Sequence, residues 1–268
     1  MYPYIHIILP SYLVMALIGG FFALTFMYLR IEKFQMDFST FLKMFIACLA
    51  GGYAGAKLLY SFTQIPWLFE NFSLKNLIML IPRSGLVFYG GLFGVIFTLL
   101  YITRKNPDLR KSAFGVCVPA MPLFHTFGRI GCFLTGCCYG KELSHPIQLG
   151  VLTLNRMPTQ LIESVSEFSL FIILLIIERK RIETDLLRIY LVAYAVIRFI
   201  NEFFRGDEIR GILLGLSTSQ WISLMILGYY AVKMINDRLP ARVKQSSKFS
   251  RIIFVRQIDK QYINDDNR

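Results

Sequence analysis

Long apolar runs alternate with short polar connections along this chain. Seven apolar runs occur, at about residues 8–29, 44–62, 85–103, 113–134, 159–177, 186–205 and 215–236. Each run approaches the roughly 20 helical residues that are needed to cross the hydrocarbon core of a bilayer. The pattern predicts an all-α fold, that of a polytopic integral membrane protein with about seven transmembrane helices.

The composition supports this fold class. Hydrophobic residues make up 55% of the chain and charged residues only 17%, and the mean hydropathy is +0.52. An average soluble domain has roughly 25% charged residues. These values argue against a soluble globular enzyme.

The net charge of +12 is explained by topology. Twenty of the 29 Lys and Arg residues lie after the first, third and fifth runs or from Lys233 onward, and only five lie in the other connections. By the positive-inside rule, the N-terminus is outside and the C-terminus is cytoplasmic. We therefore divide the chain into a seven-span transmembrane domain, 1–236, and a basic cytoplasmic tail, 237–268, and we predict no nucleic-acid partner.

Polar residues inside the apolar runs cluster at one depth. An ionisable group in a span costs roughly 3 kcal/mol on insertion scales, so such groups face the bundle interior and are functional candidates. With the orientation above, six runs place polar residues near the outer boundary, including Tyr12, Tyr89, Arg129, Gln160, Glu163 and Arg198. A site that handles a lipid headgroup at the outer face would produce this clustering.

The sixth run carries a ladder of polar residues. Tyr194, Arg198, Glu202 and Arg205 have the spacing of one helical face. Two guanidiniums and one carboxylate leave a surplus positive charge, and the planar fork of Arg suits a phosphate. The ladder therefore predicts an anionic phospholipid headgroup as ligand, and the alternative is a self-neutralising contact between helices.

The fifth run places a second polar face after Pro158. Gln160, Glu163 and Glu167 share one side of the predicted helix. Glu163 could pair with an Arg or accept a proton. The alternative is a role in hydrogen bonding between helices.

Two glycine clusters complete the pattern. The segment 128–140 reads Gly-Arg-Ile-Gly-Cys-Phe-Leu-Thr-Gly-Cys-Cys-Tyr-Gly, and Tyr89-Gly90-Gly91-Leu92-Phe93-Gly94 opens the third run. Glycines at helix ends allow close approach of a ligand to the backbone, where exposed amides can donate hydrogen bonds.

These clusters, together with the sixth-run ladder, resemble the prolipoprotein diacylglyceryl transferase family of bacterial inner membranes. The resemblance covers residues about 8–236, and its most specific part is the family signature matched from Gly128 to Gly140. The stretches 158–163 and 217–220 are also similar to that family. The resemblance implies transfer of the diacylglyceryl group of phosphatidylglycerol to the thiol of a lipobox cysteine, which forms a thioether and releases glycerol phosphate.

The resemblance also implies the roles of residues. The implied catalytic residues are Arg129, Arg198, Glu202 and Tyr89, and the implied phosphatidylglycerol-binding residues are Arg129, Tyr12, Gly90, Gly91, Gly140, Tyr194, Arg205, Gln160 and Glu163. Tyr89 stands where the family typically has a His regarded as a base, and Cys132 stands at a signature Asn. Because an ordinary tyrosine is a poor base at neutral pH, we hypothesise that His125, one helical turn before Arg129, replaces the missing base; the alternative is an imidazole that only packs between helices.

We assign no metal and no cofactor. The cysteines at 132, 137 and 138 are interpreted as small residues of a glycine-rich turn. The alternative is a metal site with His125 and His145 nearby, although the spacing is not a familiar C-x2-C arrangement. The expected partners are phosphatidylglycerol, prolipoprotein signal peptides and membrane lipids, in the bacterial plasma (inner) membrane. The rival functions are a related transferase with a different acceptor and a non-catalytic phospholipid-binding or transport protein.

Overall fold

The computed structural model describes residues 4–5, 9–70, 72–73, 85–149, 152–180, 185–206 and 212–238. Most of these residues are helical, which confirms the predicted helical character. The helices are α1 (Ser11–Tyr28), α2 (Phe38–Thr63), α3 (Ile65–Glu70), α4 (Phe88–Ile102), α5 (Pro107–Cys117), α6 (Ala120–Thr135), α7 (Thr159–Arg179), α8 (Leu186–Glu202) and α9 (Thr218–Arg238). The predicted basic tail lies, from residue 239 onward, outside the described residues.

The all-α prediction is wrong in one respect, because the described chain also forms three antiparallel hairpins. They pair β1 (Tyr4–Ile5) with β2 (Leu9–Pro10), β3 (Glu142–Leu149) with β4 (Leu152–Arg156), and β5 (Ile212–Leu213) with β6 (Leu216–Ser217). The β3–β4 hairpin is the longest, and its register shifts between Glu142 and Ile147. Pro146 lies at this irregularity, where a residue without an N–H is tolerated in a strand.

Three of the described helices are long and apolar enough to cross a membrane, namely α1, α2 and α7, and α4 is a shorter apolar helix of 15 residues. Two predicted boundaries are wrong. The helix of the second run begins at Phe38 and not near residue 44. Asp37 caps it, since its carboxylate accepts a hydrogen bond from the Thr40 backbone N–H at 2.8 Å. The run predicted over 113–134 is divided between α5 and α6 at Val118 and Pro119, since proline cannot donate the next helical hydrogen bond.

The exposure of side chains is the reverse of that in a soluble protein. Phe21, Val165 and Phe97 are 65%, 67% and 68% exposed, whereas Glu163 and Arg198 are buried. Because large exposed apolar surfaces are rare on soluble monomers, this arrangement is typical of helices that face lipid.

Glycines allow α2 and α4 to approach closely. A Cβ added at Gly94 would lie 2.1 Å from the carbonyl oxygen of Gly51, and one added at Gly90 would lie 2.4 Å from that of Gly55. Small residues at such contacts let the backbones of membrane helices pack against each other. This seam holds the first turn of α4, which carries Tyr89, in place.

The opposite end of the bundle is fastened by an ion pair. Arg30, after α1, donates to the Glu178 carboxylate at 2.6 Å and to the Gly115 carbonyl at 2.9 Å. Lys33 donates to the same carboxylate at 2.8 Å. The C-terminal ends of α1, α5 and α7 therefore lie together.

Candidate functional site

One buried carboxylate oxygen lies at the centre of the polar cluster. Oε2 of Glu163, on the second turn of α7, is 2.8 Å from Nη2 of Arg129 on α6 and 3.1 Å from Nη1 of Arg198 on α8. The Asn201 side-chain amide donates to the same oxygen at 2.7 Å. Glu163 is only 1% exposed, so the three helices share a desolvated charge. The prediction that Glu163 could pair with an Arg is confirmed.

The ladder on α8 continues from this centre. Nη2 of Arg198 is 2.8 Å from Oε2 of Glu202, and Nη1 of Arg205 is 3.5 Å from the same oxygen. These pairs confirm that the ladder residues share one face. Among the Arg–Glu pairs, three guanidiniums contact two carboxylates, which leaves one positive charge in surplus within these pairs.

Arg129 retains hydrogen-bonding capacity. Among the described residues its Nε has no hydrogen-bond acceptor, although the side chain is only 7% exposed. Its Nη1 donates weakly to Sγ of Cys132 at 3.9 Å. A buried guanidinium with an unused donor in a cluster of surplus positive charge is suited to bind an anionic oxygen.

His125 lies between two carboxylates. Its Nε2 is 3.9 Å from Oε1 of Glu163, and its Nδ1 is 3.7 Å from Oε2 of Glu167. The imidazole stacks on the Phe88 ring with centroids 3.7 Å apart. Nδ1 of His125 and both Glu167 oxygens have no hydrogen-bond partner in the described chain, so this buried pair keeps unused hydrogen-bonding capacity.

Tyr89 is held by a neighbouring helix. Its hydroxyl is 2.6 Å from Oγ of Ser223 on α9, and its ring lies against Tyr194 with centroids 5.3 Å apart. Tyr89 is 2% exposed and Tyr194 1%. Ser223 therefore engages the Tyr89 hydroxyl, the group that stands where the family typically has a His.

The predicted binding glycines have structural partners. Gly90 and Gly91 face α2 at the seam described above. A Cβ at Gly140 would lie 2.4 Å from the Met157 carbonyl oxygen, so only glycine fits where this loop meets β4. Gly140 also forms a bridge with Arg205. These contacts account for the glycines through packing of the backbone.

The remaining predicted binding residues border the cluster. Tyr12, on the first turn of α1, packs on Gly131, where an added Cβ would come within 3.2 Å of its ring. Gln160, on the first turn of α7, is buried and donates from Nε2 to the Cys137 carbonyl at 2.6 Å. The structure thus brings the predicted residues of α1, α4, α6, α7 and α8 to one end of the bundle.

The glycine-rich segment after α6 folds into a turn. Gly136, with a φ of 76° in the left-handed region, caps the C-terminus of α6, and the Cys137 N–H donates to the Cys132 carbonyl at 3.1 Å. The pKa of the Cys138 thiol is lowered, because the thiols of Cys132 and Cys137 hydrogen-bond to it and Arg129 lies nearby. The sequence analysis interpreted these cysteines as filling the turn, and the structure shows in addition that they face one another.

Two residues of the site were missed by sequence reasoning. Asn201 lies three positions after Arg198, on the ladder face, and an amide inside an apolar run was a signal that could have identified it. Ser223 follows the 217–220 stretch by one turn, and its partner on α4 could not be read from spacing.

Comparison with known proteins places this arrangement in a family. The family model for prolipoprotein diacylglyceryl transferase matches residues 4–235. The chain belongs to this family. It is therefore a membrane transferase of lipoprotein biosynthesis, which confirms the resemblance and the predicted enzyme class.

Curated relatives agree with this membership. The chain is 40% identical over 201 residues to a phosphatidylglycerol–prolipoprotein diacylglyceryl transferase of Clostridium tetani, covering 70% of this chain and 77% of the relative. It is 34% identical over 190 residues to transferase 2 of that name from Clostridium perfringens, covering 68% and 73%. It is 32% identical over 207 residues to the Idiomarina loihiensis transferase, covering 73% and 75%.

Proposed function

We propose that this chain transfers the diacylglyceryl group of phosphatidylglycerol to the lipobox cysteine thiol of prolipoproteins, releasing glycerol phosphate. The observation that carries the proposal is the buried cluster around Glu163, which holds a surplus positive charge and an unused donor of Arg129. Departure of glycerol phosphate requires stabilisation of charge on a phosphate. Fixed guanidiniums in a site of low dielectric provide this at no cost of reorganisation.

Each charged residue of the cluster receives a role. Arg129 and Arg198 bind the phosphate and stabilise it as it leaves. Glu163 orients both guanidiniums, while Glu202 lies between Arg198 and Arg205 and pairs with both. The other proposed headgroup-binding residues are Tyr12, Gly90, Gly91, Gly140, Tyr194 and Gln160, and Tyr89 is proposed to orient the headgroup through its Ser223-bound hydroxyl.

His125 is the proposed acceptor of the thiol proton. It is separated from Arg129 by one helical turn, and Glu163 and Glu167 flank it at 3.9 and 3.7 Å. His125→Ala should lower the turnover rate, and full activity of this variant would remove His125 from the mechanism.

The proposed topology has seven spans, with the N-terminus outside and the tail cytoplasmic. It is supported by the separation of the two ends of the bundle. Arg30, Lys33 and Glu178 meet at the end predicted to be cytoplasmic, whereas Arg129, Glu163 and Arg198 meet at the other. We propose the bacterial inner membrane as location, 1–236 as the catalytic domain, and prolipoprotein signal peptides as the second substrate.

The test is complementation of a strain depleted of its own diacylglyceryl transferase. Arg129→Ala and Arg198→Ala should abolish rescue, whereas Arg104→Ala, at the opposite end of α4, should preserve it. Immunoblots of membrane fractions check that all variants are inserted in equal amounts.

A purified assay separates the rivals. The full-length protein in detergent is given phosphatidylglycerol and a lipobox peptide, and glycerol phosphate and the peptide mass are measured. Release of glycerol phosphate with a gain of diacylglyceryl mass on the peptide supports the proposal. Phosphatidylglycerol binding without release contradicts it and favours a lipid-binding protein, and release without peptide modification favours a different acceptor.

A further inference from the structure

Three cysteine sulfur atoms converge next to the proposed phosphate site. The Sγ atoms of Cys132, Cys137 and Cys138 all lie within 4.8 Å of one another. Cys132 is buried on the last turn of α6, Cys138 is half-buried, and Cys137 is exposed. The cluster is therefore accessible from one side and backed by protein on the other.

The backbone of this cluster is fixed by groups other than the thiols. Thr159 donates from Oγ1 to the Cys138 carbonyl at 3.0 Å, and Gln160 donates to the Cys137 carbonyl at 2.6 Å. Cys138 has a φ of 55°, a left-handed conformation that costs a residue with a side chain roughly 1–2 kcal/mol. Both carbonyls are thus anchored to the first turn of α7, and the anchored backbone directs the thiols toward one another.

Three convergent thiols are a ligand set for a thiophilic cation. Zn²⁺ binds thiolates at about 2.3 Å, which separates the sulfurs of a tetrahedral site by roughly 3.8 Å. The three sulfurs, all within 4.8 Å of one another, already lie close to that separation. Three protein ligands leave the fourth position of zinc open, as in catalytic sites. The Arg129 guanidinium, 3.9 Å from Sγ of Cys132, offsets the net negative charge of zinc with three thiolates.

We propose that Cys132, Cys137 and Cys138 bind Zn²⁺, whose open position takes the thiol of the acceptor cysteine as a thiolate. This inference rests on the proposed function and names how its nucleophile is activated. A thiol that coordinates zinc is deprotonated outright. The metal therefore activates the acceptor thiol by deprotonation, a role that Tyr89, whose hydroxyl is bound to Ser223, does not fill.

The step conserves atoms and electrons. His125 and Cys132 are seven residues apart on α6, about 10 Å along the helix, so the acceptor thiol gives its proton to His125 through intervening water, and the sulfur binds zinc as a thiolate. A sulfur electron pair attacks the diacylglyceryl carbon that bears the phosphate, so that a C–S bond forms as the C–O bond breaks. The bonding electrons leave on the phosphate oxygen beside Arg129. Nothing is oxidised or reduced, and the neutral thioether leaves the metal because it is a weaker ligand than a thiolate.

The first experiment measures metal content. The full-length protein is purified in detergent without chelators, and zinc is determined by mass spectrometry. We expect about one zinc per chain, with a loss of most of it in Cys132→Ser, Cys137→Ser and Cys138→Ser. Cys48→Ser and Cys117→Ser are matched controls that should retain it, because these cysteines lie among the apolar residues of α2 and α5.

The second experiment asks whether the acceptor binds the metal. Replacing zinc by Co²⁺ gives a thiolate-to-metal absorption band. A lipobox peptide should raise its intensity by about a third, because four thiolates replace three, whereas a peptide with Ser for Cys should not. Removal of zinc from the wild-type protein with a chelator should abolish transfer, and added zinc should restore it, which avoids dependence on the folding of variants.

The outcomes are separable. Active wild-type protein with less than about one tenth of a zinc per chain overturns the inference and leaves the proposed function intact. Stoichiometric zinc with no spectral response to the cysteine peptide overturns the assignment of the open position. Stoichiometric zinc, a spectral response to the cysteine peptide and no release of glycerol phosphate support the metal site and overturn the proposed function.

Discussion

The close contact between α2 and α4 predicts that two Gly→Ala substitutions have opposite effects on the stability of the protein. Gly94→Ala places a methyl group 2.1 Å from the Gly51 carbonyl oxygen. This is about 1.3 Å short of the 3.4 Å at which ordinary contact begins, and the obstacle is backbone, so the two helices must separate. Gly20→Ala, in α1, meets nothing within 4 Å.

The magnitudes follow from two opposing contributions. Replacing a helical glycine by alanine stabilises a helix by roughly 0.5–1 kcal/mol. Overpacking of a close contact costs typically 1–3 kcal/mol, and a clash with a carbonyl oxygen lies at the upper end. We therefore expect Gly94→Ala to destabilise the protein by about 1–2 kcal/mol and Gly20→Ala to stabilise it slightly.

The assay is heating of the purified protein in detergent, with the folded fraction measured by fluorescence-detected size exclusion. Because unfolding of a membrane protein is often irreversible, the heating rate is kept the same for all variants. The reasoning is refuted if the thermal unfolding midpoint of the Gly94→Ala variant equals or exceeds that of the Gly20→Ala variant. A lower midpoint for both variants would show that glycine at these positions serves something other than the close approach of α2 and α4.

Three further predictions concern single side chains. Arg198→Lys should lower kcat/KM for phosphatidylglycerol at least about tenfold, because an ammonium cannot bridge two carboxylates as the guanidinium fork does, while Arg104→Lys should leave it unchanged. Ser223→Ala should cost about 1–3 kcal/mol by leaving the buried Tyr89 hydroxyl unpaired, whereas Tyr89→Phe should cost less, because Ser223 still donates to the Ser219 carbonyl at 2.9 Å. The double variant should be less destabilised than the two losses combined, as a thermal double-mutant cycle will reveal. The hydrogen bonds from Thr40 lower the pKa of the Asp37 carboxyl. The stability that this cap supplies is therefore present above the ordinary carboxyl range and is lost as the pH falls through the lowered pKa. Asp37→Asn should make the thermal unfolding midpoint less dependent on pH in acid, and an unchanged dependence would contradict this.

The sequence predicted what depends on helical periodicity. The spacing from Arg198 to Arg205 put their side chains on one face, and the ion pairs through Glu202 bear this out. The burial of Gln160 and Glu163 likewise follows from their shared face.

Features that depend on backbone conformation or on partners distant in sequence could not be predicted. The convergence of the thiols requires left-handed φ values at Gly136 and Cys138, which no spacing rule specifies. The hairpin over 142–156 has no apolar period to identify it. The contact between Tyr89 and Ser223 joins residues 134 positions apart.

The anchoring of the cysteine turn bears on how this part of the chain can change during evolution. Thr159 and Gln160 hold the turn by its carbonyl groups, which every residue type possesses. Side chains at 137 and 138 can therefore be exchanged while the path of the chain between α6 and α7 is retained. A new chemical group can be tried next to the arginines without rebuilding the loop, whereas a change at 159 or 160 would remove one of the bonds that tie the turn to α7.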